Sequence, residues 1–420
     1  FMVESETSTV SLAPIREIAG EILQKLPDSY RGLDYHTELG KQIKQLDDLK
    51  RKQLMNSLHT FLLHMRKNEA SDIDLGGGGC DGKIWYRVYG NKSPLSLPES
   101  LNYRETDLLI HSIITDEQRR QLLNDRNLDF SYSLPTLNGE KAQRFRANAY
   151  FDLEHLALNM RKIDEQIRPF KTLGVHPEVA KALSLKYYKY GLTLITGITG
   201  SGKSSTLDTI IDANNRTVDS HIVIIASPVE LIHKPKRSVV RHREVGRDVT
   251  SFKNGAIQSL RQDPDIIVIG ELRDPETIMT TLEITDSGHK TFGTLHTSSA
   301  MESIERILGE VPTEEQNRVR ARLSDVLTCV ISQKLIPSLD GKRVLAKEVL
   351  LVTPSVRAAI RNDNVNEIYQ MLAEGSEKGM ITMEQDLKRL FDEGKISKEE
   401  AINNANNKKR LYQLLNDLDY

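Results

Sequence analysis

Cysteine, tryptophan, long apolar runs and an excess of positive charge are all scarce in this chain of 420 residues. Its two cysteines, Cys80 and Cys329, lie far apart and form no CxxC pair. That argues against a zinc ribbon or a disulfide framework and fits a reducing compartment. No segment reaches the roughly 18 uninterrupted apolar residues of a membrane span. The opening stretch FMVESETSTVSLAPIREIAGEIL carries acids and an arginine where a signal peptide needs an apolar core, so a cytoplasmic location is expected. With 57 Lys and Arg against 59 Asp and Glu, the formal net charge is -2. The chain as a whole lacks the basic excess of non-specific DNA binding, which leaves nucleic acid an unfavoured partner except through a local basic groove. What is present, 38% apolar and 28% charged residues, fits a globular protein of two or three domains.

Residues 1–52 form an N-terminal extension, expected to be partly helical, with the first 35 residues partly disordered. From Thr37 to Met65, Leu39, Ile43, Leu46, Leu54, Leu58 and Leu62 recur near a 3.6-residue period and predict one helix. Residues 53–165 read as a small α+β domain: strands around SDIDLGGGGCDGKIWYRVYG, LDFSYSL and KAQRFRANAYFD, and a helical stretch from Arg104 to Asn124. Gly76 to Gly79 invite a phosphate-loop reading. No Lys-Ser/Thr pair and no helical pattern follow them, which favours a turn. Residues 166–176 are a charged linker. Residues 177–360 alternate strand runs (LTLIT, HIVIIA, DIIVIG, TFGTL) with helical patterns, which implies an α/β core on a mostly parallel sheet. LIPSLDGKRVLAKEVLLV predicts two further strands of that sheet, and residues 361–420 turn helical.

Gly197, Gly200, Gly202, Lys203 and Ser204 satisfy GxxxxGK[S/T], with Thr199, Ser201 and Ser205 completing the loop and helix start. A β-rich run precedes the loop and a helical pattern follows it. Backbone N–H groups turned inward by the glycines, with the helix N-terminus behind them, form a cradle for phosphates. Lys203 would reach the β- and γ-phosphates of ATP, and the Ser204 hydroxyl would ligate Mg²⁺. The run Ile266 to Ile269 ends in Gly270-Glu271, the pattern of a buried strand carrying an acid at its tip. Glu271 could orient or deprotonate the attacking water and touch Mg²⁺ through water.

Together GITGSGKSSTLD, REVGRDVTSF, LRQDPDIIVIGELRDPET and SGHKTFGTLHTSSA resemble the secretion-superfamily ATPases of type II and type IV systems. VISQKLIP, GKRVLAKEVLLVTPSVRAAIRN and GMITMEQDLKRLFDEGKISKEEA resemble the pilus-retraction branch of that family. The resemblance covers roughly Met65 to Ala405. It implies a PAS-like N-terminal domain, a RecA-like P-loop ATPase core, a helical C-terminal region and a homohexameric ring. The ring would work against an inner-membrane pilus platform protein from the cytoplasmic face of that membrane. It carries the catalytic glutamate to Glu271, and the two positions of the family's His box to His289 and His296. Arg144 and Arg146 match basic positions that can face a nucleotide across a subunit boundary; read singly, each is also a solvated strand residue. Ala359 to Asn362 match the start of an AIRNLIRE motif, after which this chain departs to DNVNEI. The tetracysteine zinc insert usual in pilus-assembly motors is absent, so no zinc is expected.

One departure bears on chemistry. Where the family usually reads EDPxE, this chain has Ala226-Ser227-Pro228-Val229-Glu230. The first acid is gone and Glu230 remains. Either hydrolysis is slowed, because two carboxylates would share water activation, or Glu271 suffices. Three functions stay open at this point. They are a hexameric ATPase driving pilus retraction, a secretion or conjugation ATPase of the DotB type, and a weakly active nucleotide-binding ring subunit with a structural or regulatory role.

Overall fold

The computed structural model describes residues 12–89, 91–96, 99–134 and 142–415. The chain divides into two units, Phe1–Asp164 and Glu165–Tyr420.

The first unit opens with helices α1 (Ala13–Leu23), α2 (Gly32–Gln45) and α3 (Asp48–Lys67). The single helix expected over 37–65 is therefore two. Leu46 leaves the helical region, and the Asp47 carboxylate accepts the Lys50 N–H at 2.8 Å, starting a new helix. A competent N-cap outweighs a continuous apolar stripe. The same happens after α4 (Tyr103–Ile113): Thr115 and Gln118 form a capping box that begins α5 (Asp116–Asp125). Part of the stretch expected to be disordered is α1, and residues 1–11 lie outside the described residues.

Strands β1 (Asp72–Gly76), β2 (Trp85–Val88), β3 (Asn91–Pro94), β4 (Asn127–Leu134), β5 (Gln143–Asp152) and β6 (His155–Lys162) form one antiparallel sheet in the order β3-β2-β1-β6-β5-β4. Leu54, Leu58, Phe61 and Leu62 of α3 pack with Ile73, Leu75, Ala147 and Leu158 in one core. Gly76 and Gly77 have positive φ, and a Cβ on Gly76 would lie 2.2 Å from the Leu156 carbonyl oxygen. The glycine run is a tight turn tied to β5, where the Asp152 carboxylate accepts the Gly79 N–H at 2.7 Å.

The second unit is built on seven strands: β7 (Gly191–Thr196), β8 (His221–Ala226), β9 (Val239–Glu244), β10 (Ile266–Ile269), β11 (Lys290–Leu295), β12 (Leu327–Pro337) and β13 (Arg343–Leu351). Their order is β13-β12-β7-β11-β10-β8-β9, parallel except for the β12–β13 pair. Alternate residues serve opposite faces, so both faces are covered, as a parallel sheet requires. Leu192, Leu194, Val223 and Ile225 pack under α8 (Phe252–Ser259), α9 (Pro275–Asp286), α10 (Ala300–Gly309), α11 (Thr313–Val326), α12 (Pro354–Arg361) and α13 (Val365–Glu374). Ile195, Ile222 and Ile224 pack under α6 (Pro177–Leu183) and α7 (Lys203–Thr217). The helices α14 (Met383–Asp392), α15 (Lys398–Asn404) and α16 (Lys408–Leu414) close over Ile336 and Ala346 at the end of the β12–β13 hairpin. The architecture is α/β: a PAS-like α+β unit, then a RecA-like P-loop core with a helical C-terminal region. Strand β9 was not expected, because its sequence VVRHRE carries three basic residues and an acid.

Candidate active site

The phosphate loop connects β7 to α7 and is pinned at both sides. Its first N–H, that of Gly197, donates to the Leu295 carbonyl of β11 at 3.2 Å, and the Thr196 hydroxyl lies 2.7 Å from that of Ser332 on β12. Gly197, Gly200 and Gly202 have φ of 149°, 81° and 86°. At Gly197 the space is closed as well: a Cβ would stand 2.4 Å from Ser201 Oγ and 2.5 Å from the Gln333 carbonyl oxygen. Helix α7 then starts at Lys203, whose ammonium donates to the Gly197 and Ile198 carbonyls at 2.7 and 3.0 Å. Burial holds the Lys203 ammonium below its ordinary pKa, opposed by the nearby charge of Glu271. Thr199, Gly200, Ser204 and Ser205 are exposed, Ser204 at the second position of the helix.

Glu271 follows the four buried residues of β10. The backbone around it is tied to both neighbouring strands. The Gly270 N–H donates to Ile225 O at 2.8 Å, the Leu272 N–H to Thr294 O at 3.0 Å, and the Thr294 hydroxyl to Gly270 O at 2.5 Å. The Glu271 carboxylate, 20% exposed, faces His296 Nε2 at 3.1 Å through one oxygen and Arg273 Nε at 2.7 Å through the other. His296 stands just beyond the C-terminal end of β11, beside the phosphate loop's anchor at Leu295. His289 stands before the other end of that strand, on the order of 20 Å away along it. There its Nδ1 lies 3.1 Å from the Ser287 hydroxyl and 3.2 Å from Ile284 O. The two histidines thus flank one strand from opposite ends, and only His296 contacts Glu271.

Ala226 is the last residue of β8. A Cβ added to Gly270 would come within 3.2 Å of its Cα, so position 226 borders the Gly270-Glu271 tip. In register beside it on β9 is Glu244, a buried carboxylate that accepts the Val229 N–H at 2.9 Å and so holds the turn after Pro228. Glu230 is half-buried in that turn. Arg144 and Arg146 belong to the first unit, on one face of β5, Arg144 buried and Arg146 exposed.

Two residues escaped attention in the sequence. Glu244 sits in REVG, a stretch noted only for its resemblance. Gln333 is the other. It is buried to 1% exposure on β12, and its Nε2 donates to the Ser201 carbonyl at 2.8 Å, making it the floor of the phosphate loop. Its signal is weak: Gln333 sits between Ser332 and Lys334 within the strand run VISQKLI, and only its burial shows that its amide requires a partner.

A mostly parallel sheet with GxxxxGKS between an inner strand and a helix, and an acid at the tip of a nearby strand, defines a P-loop ATPase. Residues 49–408 match the family described as Type II/IV secretion system protein, and the chain belongs to that family. It is 39% identical over 345 residues to the type IV pilus retractation ATPase PilT of Pseudomonas aeruginosa, an alignment covering 82% of this chain and 97% of that protein. Among solved structures it is similar to the pilus retraction motor PilT with bound ADP, with 35% identity, a TM-score of 0.74, and 84% and 98% of the two chains covered. It is also similar to the ATPase DotB of Legionella pneumophila, with 28% identity, a TM-score of 0.65, and 83% and 94% covered.

Replacing Gln333 by leucine should strip the Ser201 carbonyl of its donor at a cost of about 1–2 kcal/mol. Because that carbonyl belongs to the loop, ADP affinity should fall about tenfold by calorimetry. Unchanged affinity would remove Gln333 from the loop's support.

Proposed function

We propose that this chain is a hexameric motor that hydrolyses ATP to drive type IV pilus disassembly. The observation that carries the reading is Glu271, held between His296 and Arg273 at the tip of β10, where its charge acts on Lys203. On nucleotide binding, Lys203 exchanges its two loop carbonyls for the β- and γ-phosphate oxygens, a stronger charge-assisted pairing. The exposed Ser204 hydroxyl at the helix start and the Glu271 carboxylate, through water, are oxygen donors suited to Mg²⁺, which supplies charge neutralisation at the phosphates. Glu271 orients a water for in-line attack on the γ-phosphorus. The bond from that phosphorus to the bridging oxygen breaks, giving ADP and phosphate. His296 fixes the carboxylate's direction. In a ring, Arg144 and Arg146 of a neighbouring subunit would supply transition-state charge, and His289, remote from Glu271 in its own subunit, would serve at the subunit boundary. Domain rotation in that ring would pass force to an inner-membrane pilus platform protein at the cytoplasmic face. Among the described residues no helix is long and apolar enough to cross a membrane, which is compatible with a peripheral location.

The test of this reading is genetic. Deleting the gene should leave cells with excess pili that do not retract, and a copy carrying Lys203→Ala should fail to restore retraction. Normal retraction combined with loss of a secreted or conjugated cargo would instead favour the secretion reading, in line with the likeness to DotB.

A second reading, a slow ring subunit with a regulatory role, is favoured by Ala226 alone. Its position beside the Gly270-Glu271 tip makes the substitution Ala226→Glu informative. A second carboxylate there should raise kcat severalfold while leaving nucleotide affinity equal or slightly weaker, since it also repels the γ-phosphate. A kcat that does not rise would show that Glu271 suffices.

A further inference from the structure

Glu348 on β13 is buried to 3% exposure and has no part in the chemistry described above. Each of its oxygens serves the start of a different helix. Oε1 accepts the Ala300 N–H at 2.8 Å, at the first position of α10, and Oε2 accepts the Met383 N–H at 3.4 Å, at the first position of α14. Such N–H groups have no partner within their own helix, and a carboxylate suits the positive end of the helix dipole. Burial pushes the Glu348 carboxyl up to about 7, with the Ala300 N–H pulling the other way.

His296, which faces Glu271, stands four residues before Ala300. The turn between them is tied to α10 itself: the Thr297 hydroxyl lies 2.7 Å from that of Ser303, and the Ser298 N–H donates to the Glu302 carboxylate at 2.7 Å. Glu348 and Asn406 fasten the same turn to the C-terminal helices. Asn406 lies between α15 and α16. Its Nδ2 donates to the Ser298 carbonyl at 3.0 Å, and its Oδ1 accepts from the Lys334 ammonium at 2.7 Å. One orientation of the amide satisfies both, since a carbonyl only accepts and an ammonium only donates. Lys334 also donates to Asn404 O at 2.7 Å, and Glu384 of α14 accepts the Asn407 N–H at 2.8 Å. We propose that Glu348 is a positioning residue for hydrolysis: by clamping the first turn of α10 to that of α14, it lets the C-terminal helices set where His296 stands and, through His296, how Glu271 is aimed. This role rests on Glu271 being the acid that directs the attacking water. Register also puts Glu348 beside Ser332, whose hydroxyl meets that of Thr196 just before the phosphate loop, and an effect by that route would appear in nucleotide affinity instead.

The test is a double-mutant cycle on the full chain, with kcat and ADP affinity measured for each variant. Glu348→Gln keeps the size of the side chain but offers one acceptor oxygen in place of two. Alone it should lower kcat about fivefold or more and leave ADP affinity within about twofold. In a His296→Ala background the same change should cost less than about twofold, because the group it positions is already gone. Should Glu348→Gln not fold, Asn406→Asp is read by the same cycle: it keeps an acceptor for Lys334 and sets a charged oxygen against the Ser298 carbonyl. An unchanged kcat, a full additive loss in the His296→Ala background, or a fall in ADP affinity as large as the fall in kcat would each overturn the assignment. Glu271→Gln reports separately on the underlying reading. Wild-type turnover in that variant removes Glu271 and this role together, whereas a slow Glu271→Gln beside an unaffected Glu348→Gln removes this role alone.

Discussion

The ATPase half of the molecule is organised around a closed space at Gly197. The loop leaving β7 must turn its N–H groups inward, and it does so between Ser201 Oγ at 2.4 Å and the Gln333 carbonyl at 2.5 Å from where any Cβ would stand. That crowding is possible because β7 is flanked on one side by β11, which accepts the Gly197 N–H, and on the other by β12, which supplies Gln333. Strand order, loop shape and the start of α7 at Lys203 are therefore one constraint. Any β12 residue that withdrew from Ser201 would let the loop relax away from a phosphate-binding curl.

The chemistry inherits this geometry through charge. Lys203 is partly desolvated against loop carbonyls, a costly position for an ammonium that a phosphate relieves. Glu271 is aimed by His296 and Arg273, and position 226 has no second acid beside it. Glu244, in register with Ala226, is buried, but it is tied to the Val229 N–H and so holds the turn there. The first carboxylate of the family's EDPxE pattern is thus missing, and the acid beside position 226 is Glu271, at the tip of β10.

Much of this was legible in the chain. Buried parallel strands read as apolar runs, as β8 and β10 do, while β7 and β11 carry threonines, and β11 also Lys290, within fully buried strands. A glycine-rich loop with Lys-Ser is local in sequence, so its position between strand and helix could be stated in advance. What escaped depended on partners distant in sequence. β9 is an edge strand with one neighbour, and an edge tolerates Arg241, His242 and Arg243, which obscured the strand. Gln333 acquires meaning only when β12 lies beside β7, 132 residues from the Ser201 carbonyl it supports. The helix break at Asp47 was a short-range signal overlooked because the apolar period runs on across it. The departure at Ala226 was visible at once, but its closeness to Gly270 required the β8–β10 pairing.

The account stands on Glu271 as the carboxylate that directs hydrolysis. Steady-state phosphate release by Glu271→Gln, measured alongside its ATP affinity, tests this most directly. The amide keeps size and polarity but cannot accept a proton as a carboxylate does. Turnover should fall by about 10²-fold or more while ATP binds as in the wild type. Phosphate release at the wild-type rate would contradict the account and transfer the catalytic role to another residue.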